Sequence, residues 1–149
     1  MPSALVRALT ERHGLPVVDT ATIDAFLAPA VGEAEHALMF FTGDPKQRLE
    51  SDDVAVVLPA LIKAFDGRLR AAIVAREAEE ALKSRFQVVV MPSLALTRRG
   101  ETLAVLPKIK DWAEYLSKIA AALAPDAPAL ERGAGPRTEF QFSGPRGLS

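Results

Sequence analysis

The sequence predicts an α/β fold in which a mixed central sheet is flanked by helices, and three observations carry that prediction. Short β-rich runs alternate with amphipathic helical runs through the first half of the chain. One run, His36-Ala37-Leu38-Met39-Phe40-Phe41-Thr42, is apolar throughout and bounded by Gly32 and Gly43, the pattern of a strand covered on both faces. The second half contains a proline-interrupted β-rich stretch, a hairpin and a last helix, an order that requires antiparallel as well as parallel pairing.

Taken in order, Ser3 to His13 places Leu5, Val6 and Leu9 on one helical face, with Gly14 set to end the helix and Pro16 to prevent its continuation. Val17-Val18 reads as a brief strand. Asp19-Thr20 caps a second helix over Ile23, Phe26 and Leu27, stopped near Pro29. After the central strand, Val54, Val57, Leu58, Leu61, Ile62 and Phe65 recur with helical period, with Asp52 or Asp53 as the expected N-cap and a kink expected at Pro59. Arg68 to Val74 reads as a strand and Glu77 to Arg85 as a short helix over Ala78 and Leu82. Val88 to Met91 and Leu94 to Thr97 read as two β-rich halves divided by Pro92, and the second pairs with Thr102 to Leu106 across a Gly100 turn. Trp112, Tyr115, Leu116, Ile119, Ala120 and Leu123 form the core face of the final helix, which Asp111 and Glu114 open as a capping box. Periodicity ends at Pro125, so residues 1–124 form the domain and 125–149 an irregular Pro/Gly-rich C-terminal tail, in which Phe140 and Phe142 stand out as aromatics suited to docking on a neighbour or a partner strand.

Composition narrows the chemistry. The 149 residues carry 18 Lys+Arg against 19 Asp+Glu, a net charge of −1, which leaves no nucleic-acid footprint and no polybasic membrane anchor. The cysteine count of 0 excludes thiol redox chemistry, disulfides and thiolate-held metals. Neither a secretory signal nor an apolar stretch of spanning length is legible, so a cytoplasmic protein without membrane insertion is expected. His13 and His36 lack a second histidine at ligand spacing, and Asp44, Glu50, Asp52 and Asp53 lack the spacing of an EF-hand. Neither metal nor cofactor is expected.

Phe86-Gln87-Val88-Val89-Val90-Met91-Pro92-Ser93-Leu94-Ala95-Leu96-Thr97 followed by Arg98-Arg99-Gly100-Glu101 resembles the thioredoxin segment around its cis-proline. Leu58-Pro59-Ala60-Leu61 resembles that fold's proline-kinked helix, and Phe40-Phe41 stands where its aromatic central strand ends. The redox motif would follow Phe41, yet Thr42-Gly43-Asp44-Pro45-Lys46-Gln47 holds no Cys-x-x-Cys. Met39 aligns with the buried acid that tunes thioredoxin's thiol, so the resemblance implies that the proton-handling part is missing too.

A cysteine-free, thioredoxin-like chain of this length, with a polar insertion before the kinked helix and a Pro/Gly tail, resembles the HyaE/HupG hydrogenase-expression family over about residues 1 to 124. Phe-Phe-Thr-Gly-Asp and Met-Pro-Ser-Leu carry most of the resemblance. It implies a non-catalytic chaperone for maturation of a membrane-bound uptake [NiFe] hydrogenase, whose partner is the small-subunit precursor with its twin-arginine signal peptide. Other hydrogenase maturation proteins are further partners on the same ground. Asp44, Glu50, Asp52 and Asp53 would then face the paired guanidiniums, and the backbone at Met91 and Pro92 would pair with an extended peptide, as in thioredoxins. A plainer reading makes the aspartates helix caps and the cis-proline retained scaffold. A second functional reading is a redox-inactive scaffold subunit that self-associates as a homo-oligomer or bridges other maturation proteins. An enzymatic reading finds no nucleophile and base pair, because the only tyrosine, Tyr115, falls on the final helix.

Overall fold

The computed structural model describes residues 4–43 and 48–130. Five helices, α1 (Ala4–Glu11), α2 (Ile23–Leu27), α3 (Arg48–Ala64), α4 (Glu79–Lys83) and α5 (Trp112–Leu123), surround five strands, β1 (Val17–Val18), β2 (His36–Phe41), β3 (Leu69–Val74), β4 (Ser93–Arg98) and β5 (Glu101–Pro107). The strand order is β1-β3-β2-β4-β5. β1, β3 and β2 run parallel, whereas β4 and β5 run antiparallel to their neighbours, so the sheet is mixed as the sequence predicts.

β2 is the middle strand, and its alternation divides the core. Leu38 and Phe40 face α1, α3 and α5, where Leu9, Val54, Leu58, Leu61, Tyr115 and Ile119 close over them. Met39 and Phe41 face the other side, against Ile23 and Leu27 of α2 and Leu82 and Phe86 around α4. All six β2 residues are apolar or half-buried because both faces are covered. The β4–β5 hairpin turns through Arg99 (φ 49°) and Gly100 (φ 90°), two successive positive φ angles whose twist matches that of the strands. Gly14, also at positive φ (69°), ends α1 as expected; Asp19 Oδ1 accepts from the N–H groups of Ala21 and Thr22 at 2.9 and 3.0 Å and so launches α2.

Several boundaries depart from expectation. α3 begins at Arg48, one turn before the aspartates, so Asp52 and Asp53 lie inside the helix and are not its caps; the helix continues through Pro59. Residues 88–90 form an irregular approach to β4 rather than a strand. Arg76–Ala78 is a 3₁₀ turn leading into α4. At α5, Asp111 makes no side-chain capping bond, and the Glu114 carboxylate turns instead to Lys110 (3.7 Å) and Lys118 (3.9 Å). Trp112 is 44% exposed, against its expected place in the core; it sits at the first position of α5, one turn ahead of Tyr115, the first buried residue of that helix.

At the opposite end of β2, His36 pairs across the ladder with Arg98. Burial first, and then the charge of Arg98, hold the imidazole pKa below its ordinary 6.5. The unfolded chain therefore binds a proton here at a higher pH than the native one does, and stability falls as pH drops through about 6.5. The melting temperature of the wild type should decline between pH 7.5 and 5.5 more steeply than that of His36→Gln, and parallel curves would show that His36 does not set the slope.

Candidate functional site

The site forms where β2 ends. Phe41 is level with Ser93 of β4, and Ser93 with Pro107 of β5, so the segments leaving β2, entering β4 and leaving β5 meet at one end of the sheet. The peptide bond between Met91 and Pro92 is cis, as the resemblance to thioredoxin implies. Pro92 is buried and Met91 half-buried. The Pro92 carbonyl accepts from Lys108 N–H at 2.8 Å, and Ser93 Oγ donates to the Val90 carbonyl at 2.6 Å.

Lys108 joins this loop to α3. Its Nζ lies 3.3 Å from Glu50 Oε1, and the next residue, Ser51, donates its hydroxyl to the Thr42 carbonyl. The structure thus brings Glu50 to the same end as Met91 and Pro92, with Asp52 and Asp53 within one turn of Glu50 along α3. Asp44 lies outside the described residues. Glu50 is already ion-paired, which the sequence did not disclose; Asp53 is exposed and Asp52 half-buried.

Apolar surface borders these groups. Val89 (81% exposed) and Val90 (42%) immediately precede Met91, while Ile109 and Trp112 follow Lys108. Among the described residues, the N–H and carbonyl of Met91 have no backbone hydrogen-bond partner.

A buried carboxylate that sequence reasoning missed lies beneath the same end. Glu79, wholly buried at the start of α4, accepts through Oε2 from Thr42 N–H (2.8 Å), Thr42 Oγ1 (3.1 Å) and Gly43 N–H (3.1 Å). Its Oε1 receives Arg76 Nη1 at 3.1 Å. Met39 is apolar and packed in the core, and the buried acid under this loop comes from α4. Its oxygens are taken up by the backbone and hydroxyl donors of Thr42 and Gly43 and by the Arg76 guanidinium, so it acts as a fastener. The available signal was its position in the stripe Ala78, Leu82, Phe86, where a carboxylate needs partners in order to be buried.

Among the described residues, no three His, Asp or Glu side chains converge on a metal position, and no helix is long and apolar enough to cross a membrane. With no cysteine in the chain, the Cys-x-x-Cys redox site is absent.

The family model for hydrogenase-1 expression protein HyaE matches residues 5–115. The chain belongs to the HyaE/HupG hydrogenase-expression family. Hydrogenase expression/formation protein HupG of Rhizobium leguminosarum bv. viciae is 60% identical over 144 residues, covering 97% of both chains. HoxO of Azotobacter vinelandii, also a hydrogenase expression/formation protein, is 37% identical over 86% of this chain and 83% of its own. The crystal structure of HupG from Rhodopseudomonas palustris superposes on this HyaE-family chain with a TM-score of 0.52 at 50% identity, covering 73% of this chain and 95% of that one. The zinc-bound form of human ERp44 matches at TM-score 0.50 and 17% identity over 72% of this chain and 30% of that one, a likeness of fold alone. The fold is thioredoxin-like.

Proposed function

We propose that this protein is a non-catalytic chaperone that binds the small-subunit precursor of a membrane-bound uptake [NiFe] hydrogenase in the cytoplasm, through its twin-arginine signal peptide, before export. Membership of a hydrogenase-expression family supports the client class. The observation that carries the mode of binding is the adjacency of acidic and apolar surface at the end of β2. Glu50, Asp52 and Asp53 lie on the first turns of α3, the exposed Val89 and Val90 precede Met91 and Pro92, and the exposed Ile109 and Trp112 follow Lys108, whose N–H binds the Pro92 carbonyl.

A signal peptide presents a basic end followed by an apolar stretch. Arginine forks bind carboxylates in directional pairs, a role for Asp53, Asp52 and, on the adjoining connection, Asp44. An arriving guanidinium also competes with Lys108 for Glu50. The apolar stretch lies against the valines and Trp112, and the backbone of Met91, which has no backbone partner among the described residues, exchanges hydrogen bonds with it in the manner of strand addition.

Isothermal titration calorimetry against the precursor, and against the same subunit lacking its signal peptide, tests this. Binding to the precursor alone is expected, and the double variant Asp52→Lys, Asp53→Lys should weaken it about tenfold, since exposed charge pairs contribute up to about 1 kcal/mol each. Equal binding to both proteins would move the site to the mature subunit. Binding to neither would overturn the chaperone reading and favour a scaffold that joins other maturation proteins.

A further inference from the structure

Lys108 stands where the segments of the candidate site meet, and its backbone conformation is uncommon. It follows β5 directly and holds φ at 61°, a left-handed conformation that glycine enters freely and that a lysine keeps only where its surroundings fix it. Both of its peptide groups are fixed. The N–H donates to the Pro92 carbonyl at 2.8 Å, and the carbonyl accepts from the hydroxyl of Tyr115, a wholly buried residue of α5, at 3.3 Å. The same hydroxyl accepts from Lys110 N–H at 3.3 Å, so the turn is tied to the cis-proline loop on one side and to α5 on the other. From this anchored position the ammonium reaches α3, where Nζ lies 3.3 Å from Glu50 Oε1.

The contact is open to exchange. The Lys108 and Glu50 side chains are 43% and 40% exposed, so an arriving cation can reach the pair, and an ion pair at such exposure is weakly held. Lys108 still has an advantage over a cation from outside, because a tethered group acts at a higher local concentration than a free one. A client lysine offers Glu50 the same point charge that Lys108 already supplies, and does not displace it. An arginine offers more: its planar guanidinium engages both carboxylate oxygens through two parallel N–H bonds, whereas Lys108 Nζ holds Oε1. A resident group that only the correct ligand displaces gives specificity by disfavouring the wrong one.

We infer that Lys108 is a specificity-determining residue, a built-in counter-ion of Glu50 that yields to a client arginine and excludes a client lysine. This rests on the signal-peptide reading given above. Calorimetry with the precursor, and with the same precursor carrying two lysines in place of its paired arginines, tests it on the wild type, Lys108→Gly and Lys108→Arg. The wild type should bind the arginine form at least tenfold more tightly than the lysine form. Lys108→Gly suits the positive φ and keeps the backbone bonds to Pro92 and Tyr115 while removing the ammonium; the ratio should fall at least threefold, through tighter binding of the lysine form. Lys108→Arg, which itself forks Glu50, should weaken the arginine form at least threefold. A ratio of affinities within one variant does not move with a general loss of folded protein, so a purely structural role for Lys108 leaves it unchanged. An unchanged ratio in Lys108→Gly, with the precursor still bound, overturns the inference and leaves the signal-peptide reading standing. Binding of neither form by the wild type overturns that reading and the inference with it.

Discussion

Glu79→Ala is expected to destabilise the fold by about 3 kcal/mol, which for a chain of this size lowers the melting temperature by roughly 6 to 12 °C. The exposed partner Arg76, with 53% of its side chain accessible, returns to water at little cost, so the ion pair is not the source of the loss. The source is the set of donors at Thr42 and Gly43, which face the cavity left by the carboxylate without a replacement. Glu79→Gln keeps an acceptor oxygen but loses the charge assistance, and should fall about midway. The amides of Thr42 and Gly43 should lose exchange protection in both variants before those of β3 do. A melting curve for Glu79→Ala within 1 °C of wild type would refute the fastening role.

The second large effect concerns binding alone. Trp112→Ala is expected to weaken precursor binding at least about thirtyfold, because a tryptophan anchor in an apolar recognition patch contributes 2 kcal/mol or more. Its melting temperature should change little, since the ring is already 44% exposed and lies outside the buried core. Val31→Ser is the control: Val31 is fully exposed and precedes β2 at the other end of the sheet, so affinity should not change. Undiminished affinity of Trp112→Ala in calorimetry would remove the aromatic anchor from the proposal.

Much of the fold is legible in the sequence, because burial on two faces leaves an unmistakable apolar run at His36 to Phe41 and because helices packed on one side show their period, as Val54 to Leu61 do. What escapes is structure that packing does not mark. The first turns of α3 read as polar linker since Glu50, Ser51, Asp52 and Asp53 interrupt the apolar period. Val88 to Val90 read as a strand from their β-branched content, yet Val89 and Val90 are surface residues on the approach to Pro92. Trp112 shares a helical face with Tyr115 and Ile119, but it opens the helix one turn ahead of Tyr115, the first residue of α5 to be buried. Of the candidate site, Glu50 and the Met91-Pro92 pair lie at one end of the sheet, joined among the described residues only through Lys108, and the Lys108 pairing and the Glu79 clamp join residues 36 to 58 positions apart, which no local pattern announces.

The two borders of the sheet are unequal. β1 contributes only Val17 and Val18, too short a rung to template another chain, while β5 offers seven residues. Open-ended polymerisation by edge pairing needs two extendable borders per subunit, one to give and one to receive. A sheet with a single such border can take up one strand and then stops, so assemblies formed through it close at a fixed stoichiometry and do not grow into filaments.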